Sequence, residues 1–153
     1  MVNFANREAL QAYRTDLDTQ QASAKKLISL CSGSGCGAYG TAKVEEVLSE
    51  ELEKSGLAKE YEVRLTGCHG FCEKGPIMVI HPEGTFYCQV KADDVPAIVE
   101  KTLKGGELVN KLLFKDPAKK KKKYERDEDI PFYKLQERVI LGVNPLIDPT
   151  NID

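Results

Sequence analysis

Four of the five cysteines fall in two pairs, Cys31-x4-Cys36 and Cys68-x3-Cys72, and each pair follows directly on a predicted strand. Glycine crowds both loops. Gly33, Gly35, Gly37 and Gly40 surround the first pair, and Gly67, Gly70 and Gly75 the second, so seven of the chain's 12 glycines lie there. A merely flexible turn would not need the thiols. Three chemistries compete for such a pattern. A [2Fe–2S] cluster takes four thiolates, two per iron. Its charged sulfurs call for inward-facing backbone N–H groups, and glycine permits the close approach and positive φ angles this requires. Structural zinc also takes four thiolates, but it favours shorter knuckles and needs less bare backbone. Dithiol redox chemistry typically uses two intervening residues at a helix N-terminus, and neither pair has that spacing. Spacing and glycine content favour the cluster and leave zinc as the alternative, in a non-enzymatic interaction module.

Composition narrows the class. At 153 residues the chain has room for one core with appendages. A formal net charge of -2, no Trp and 7% aromatic residues give no global signal for nucleic acid. No apolar run approaches the ~20 residues of a membrane span, and "MVNFANREAL" lacks the pattern of a signal peptide. The expected location is cytoplasmic, where clustered cysteines bind metal or do redox work.

Hydrophobic periodicity predicts an α/β order. Residues 1–25 form an N-terminal helical segment, with Leu10, Tyr13 and Leu17 at helical spacing over 3–25. "KKLISLC" reads as a short buried strand. Thr41 to Ser55 is the clearest helix, with Val44, Leu48 and Leu52 at i, i+4 and Gly56 as its stop. "YEVRLT" alternates as a strand does; "IMVIH" and "TFYCQV" flank a "PEG" turn as a hairpin. Asp93 or Asp94 caps a last helix carrying Ile98, Val99 and Leu103, which ends at Gly105-Gly106. Residues 26–114 are thus one domain, a small central sheet flanked by helices, compatible with thioredoxin-like layering. A charged extension follows. Residues 115–130 hold five consecutive lysines and then an acidic cluster with no apolar period, and read as a solvated linker able to act as a mobile tether.

Other residues near the cysteines carry ordinary expectations. Cys88 reads as a small buried hydrophobe. His69 reads as a solvent-facing loop histidine, Phe71 as a packing residue and Lys74 as a surface cation. Glu73, acidic beside a negative centre, has no evident reason. His69 and His81 do not make a Rieske-type pair, since four cysteines are already present. No residue is expected to act as acid, base or nucleophile.

Three stretches carry a resemblance: "CSGSGCGAYG", "TGCHGFCEKGPIMVIHPEGTFYCQV" and "DIPFYKLQERVILGVNPLIDP". They are similar to the N-terminal region of NADH-binding flavoprotein subunits of electron-bifurcating, NAD-dependent [FeFe]-hydrogenases, related to the NADH-oxidising subunit of complex I. The resemblance covers nearly the whole chain, least clearly its first 25 residues. It implies a thioredoxin-like [2Fe–2S] ferredoxin domain with Cys31, Cys36, Cys68 and Cys72 as ligands. It implies one-electron transfer inside a multisubunit oxidoreductase, with other iron–sulfur and flavin subunits as partners. Residues 131–153 then begin a following domain. FMN, NAD and a [4Fe–4S] cluster belong to that domain, whose glycine-rich flavin loop and further cysteines do not occur here.

Overall fold

A computed structural model describes residues 6–22 and 25–149, with the backbone alone for 16–22. Helix α1 (Arg7–Ala22) opens the chain, and the Asn6 side chain accepts the Ala9 N–H at 2.8 Å as an N-cap. At the start of the expected packing stripe Leu10 and Tyr13 are each 39% exposed. The side chain of Leu17, like residues 3–5, lies outside what is described.

Four strands make the central sheet: β1 (Lys26–Cys31), β2 (Tyr61–Thr66), β3 (Ile77–Ile80) and β4 (Thr85–Cys88). Their order is β2-β1-β3-β4. β1 runs parallel to β2, with Cys31 opposite Thr66, and antiparallel to β3; β3 and β4 form the predicted hairpin. Gly84 closes its turn at φ +73°, which a side chain would resist.

The parallel β1–β2 pair needs a crossover, and α3 (Thr41–Lys54) supplies it. Its i, i+4 stripe of Val44, Leu48 and Leu52 is buried, and Gly56 just past its end takes φ +74°. A further helix, α4 (Val95–Ala97), continues as a π-helical stretch, Ile98–Lys104, so the wider helical form replaces the regular α-helix the pattern predicts. Ile98 and Val99 are buried, and Gly106 at φ +69° follows the helix's end.

Side chains alternate across the sheet, giving two cores. Ile28, Leu30, Met78, Ile80 and Tyr87 pack with α3 and α4. Cys31, Ile77, Val79, Phe86 and Cys88 point to the other face. That second face is covered by the segment read as a solvated linker. Strands β5 (Phe114–Asp116) and β6 (Lys122–Tyr124) form a hairpin, and α5 (Pro131–Lys134) follows. Phe114, Tyr124 and Ile130 are buried there. The segment also satisfies the open edge of β4: Phe86 N–H donates to Glu125 C=O at 2.8 Å, and Cys88 N–H to Leu112 C=O at 2.9 Å. The linker expectation is therefore corrected. An uncovered apolar face and an unpaired strand edge are both costly, and residues 112–130 cover both while their lysines stay in water. A freely swinging tether is incompatible with that packing.

Candidate metal centre

The first cysteine loop contains a short helix, α2 (Ser34–Ala38), where the glycine content had pointed to open loop. Cys31 ends β1 and Cys36 lies within α2; both are buried. The Thr41 hydroxyl lies 3.1 Å from the Cys31 carbonyl and 2.9 Å from that of Cys36, bridging the two ends of the loop from the start of α3. The second loop begins where β2 ends. Ser32 ties the loops together, donating from its N–H and its hydroxyl to the Thr66 carbonyl at 2.9 and 2.8 Å.

This stitching brings all four predicted cysteines into one place. The Cys68 and Cys72 sulfurs are 3.5 Å apart. The Cys36 and Cys68 side chains lie close enough to Cys31 to stabilise its thiolate, and Cys36 lies within electrostatic reach of Cys72. The loops meet so closely that glycine is required at the contacts. A Cβ on Gly33 would stand 3.2 Å from Cys68 Cβ, and one on Gly35 3.3 Å from Cys72 Cβ. A Cβ on Gly75 would stand 2.6 Å from Cys36 Sγ.

Backbone donors point at the sulfurs, as a negatively charged centre demands. His69 and Gly33 N–H groups serve Cys31, Ile77 N–H serves Cys36, and Gly70 N–H meets Cys68 Sγ at 3.2 Å with Gly70 at φ +80°. The Cys36 thiol, these amides and Cys68 pull the Cys31 pKa down to about 6, against its burial. Cys36 moves the other way, because its proton is the one shared with Cys31 and because it is buried. Burial raises Cys68. Four thiols packed this way cannot all ionise without a cation among them, so the donor set favours a metal centre. Among the described residues, no three His, Cys, Asp or Glu side chains already converge on one point as a mononuclear site requires.

The neighbours differ in part from expectation. His69 is buried, not solvent-facing: its Nε2 lies 3.3 Å from Thr66 Oγ1, and Arg138 donates to its carbonyl at 2.7 Å. Burial lowers its pKa to about 4, so the ring is neutral at pH 7. Cys88 is buried as expected, with Sγ 3.5 Å from the Leu112 carbonyl. Phe71 packs, stacked on Phe132 at 4.2 Å between ring centroids. Glu73 pairs with Lys74 at 2.7 Å, which cancels both charges next to Cys72. Sequence reasoning missed Thr41, Ser32 and Thr66, whose roles are visible only once the strands are aligned. It also missed Tyr133 and Arg138, which reach the second loop from far along the chain.

Comparison with known proteins agrees with this fold. Residues 8–103 match the family described as thioredoxin-like [2Fe-2S] ferredoxin. The chain is 43% identical over 77 residues to "Ferredoxin, 2Fe-2S" of Clostridium pasteurianum, covering 50% of this chain and 76% of that one. It is 39% identical over 79 residues to the protein of the same description from Aquifex aeolicus, covering 51% and 71%. The solved structure of a thioredoxin-like [2Fe-2S] ferredoxin from Aquifex aeolicus superposes with a TM-score of 0.54 at 33% identity, over 59% of this chain and 90% of that one.

Proposed function

Because the chain belongs to the thioredoxin-like [2Fe–2S] ferredoxin family, we propose that Cys31, Cys36, Cys68 and Cys72 hold the cluster through which it passes single electrons. The observation that carries this ligand set is the convergence of two glycine loops, with Gly33, Gly35 and Gly75 each pressed against a cysteine of the set. When bound, the cluster supplies one-electron chemistry; the protein supplies ligation, orientation and electrostatics. Cys31 and Cys36 form the buried side and Cys72 the exposed one, so electrons exchange at the Cys68–Cys72 edge. The backbone amides aimed at the sulfurs favour the added negative charge of the reduced state.

The test is iron and acid-labile sulfide per chain, with the visible spectrum and the EPR signal after reduction, on protein purified without oxygen. Wild type and Cys88→Ala should carry two irons per chain within error. Cys31→Ala and Cys36→Ala should lose the cluster. A colourless wild type that binds zinc instead would sink the proposal and favour the non-enzymatic module.

The setting is a further part of this reading. We assign the domain to an NAD-dependent, electron-bifurcating hydrogenase or related cytoplasmic oxidoreductase, with other iron–sulfur and flavin subunits as partners. Residues 131–153 would lead into a domain that binds FMN, NAD and a [4Fe–4S] cluster. The support is the resemblance of "DIPFYKLQERVILGVNPLIDP" to the corresponding stretch of such subunits. No helix among the described residues is long and apolar enough to cross a membrane. NADH should leave the isolated chain oxidised and should reduce its cluster within the native assembly.

A further inference from the structure

The family match ends at residue 103, yet the chain beyond it reaches back to the cysteine loops. Arg138 donates to the His69 carbonyl, between Cys68 and Cys72. Its guanidinium also stands 5.0 Å from the centroid of the Tyr133 ring. That ring lies edge-on to Phe71 at 5.9 Å and to Phe86 at 5.8 Å. It packs against the buried group that contains Cys31 and Cys36.

The hydroxyl at the tip of this ring is anomalous. Among the described residues, Tyr133 Oη is the buried side-chain polar atom with no hydrogen-bond partner. Leaving such a group unsatisfied is costly, and buried polar groups are otherwise almost always paired. Its surroundings name the missing partner. Burial raises the phenol pKa most, and the charges of Asp127, Cys31 and Cys68 raise it further against Arg138. The group is thus a fully protonated donor within electrostatic reach of two of the four cysteine sulfurs. An apolar void would give it nothing to bond, and no protein acceptor lies within hydrogen-bond distance.

We propose that the Tyr133 hydroxyl donates a hydrogen bond to a sulfur on the Cys31–Cys68 side of the cluster, so that the C-terminal extension sets the reduction potential of the domain it covers. This rests on the four-cysteine ligand set above. A donor to sulfur, with the Arg138 cation behind it, stabilises the more negative reduced state and raises the potential. The shorter family match contains neither residue.

The experiment compares wild type with Tyr133→Phe, which keeps the ring and removes only the orphaned oxygen. With equal iron and sulfide per chain, the variant should favour the oxidised form about tenfold more, a midpoint potential lower by about 59 mV for a one-electron couple. The Fe–S stretching bands in resonance Raman should lose part of their shift in D2O. Cluster-free Tyr133→Phe should unfold at the same temperature as cluster-free wild type or higher, because the lost oxygen had no partner there. A purely structural role predicts the reverse, lower stability of the variant without the cluster and an unmoved potential with it. Equal cluster content with an unchanged potential would overturn the inference and leave the ligand set standing. Wild type lacking iron and sulfide would overturn the ligand set and this inference with it.

Discussion

Gly75 has no room for even a methyl group. Its Cβ would sit 2.6 Å from Cys36 Sγ and 3.2 Å from the Cys72 carbonyl oxygen, while one on Gly37 would meet nothing within 4 Å. Neither glycine needs a positive φ, so the difference between them is steric alone. Gly75→Ala should lower stability by about 1–3 kcal/mol through overpacking and should reduce iron bound per chain. Gly37→Ala should keep the iron and gain up to about 1 kcal/mol from a less flexible unfolded chain. Iron analysis and thermal unfolding of the pair would check this; equal iron in both would show that the Gly75 contact yields freely. At this scale the four cysteines were legible because two thiol pairs in bare loops have few other uses. Which glycine touches which sulfur was not, since that depends on β1 and β2 lying in register with Cys31 opposite Thr66. His69 escaped for a similar reason: the arginine that covers its carbonyl lies 69 residues away.

Elements were legible in proportion to their apolar period. α3 repeats Val44, Leu48 and Leu52 at i, i+4, and all three are buried. The hairpin of β5 and β6 has three-residue strands, and its apolar anchors Phe114, Tyr124 and Ile130 are separated by lysines and acids. Three isolated hydrophobes in a charged segment carry no period, so a solvated linker is the natural reading. The structure makes a sharp distinction between the two. Ile130 is fully buried against Phe86 and the cysteine-bearing face. Ile130→Ala should therefore cost about 2–5 kcal/mol, a fall in Tm of several degrees for a chain of this size. In a true linker the same change would cost nothing. Urea unfolding of wild type and variant decides between them, with Lys121→Ala, on the exposed turn, as the silent control.

Across the whole molecule the sheet is buried on both faces by different means. One face is closed by α3 and α4, within the part of the chain that matches the family. The other, with Ile77, Val79 and Phe86 beside Cys31 and Cys36, is closed by residues 114–133, outside it. The extension also pairs the edge of β4 and holds the second cysteine loop through Arg138, while Asn144 lies against Gly67 and the Leu146 carbonyl accepts from Arg64 at 2.8 Å. Covering one face, one edge and one loop together makes it part of the cooperative unit. A chain ending at Leu113 should then behave worse than the loss of any one contact implies. It would expose a contiguous apolar face and the Thr85–Phe86 end of the β4 edge at once, the combination that promotes pairing between chains. The expected outcome is self-association by light scattering, binding of a hydrophobic dye and a broadened unfolding transition, with faster loss of the cluster. A monodisperse truncated chain with a sharp transition at the full-length temperature would show that the first 113 residues close their own second face. Covering by the extension would then serve the cluster's environment alone, and the potential of the truncated protein, lacking Tyr133 and Arg138, would be the property left to change.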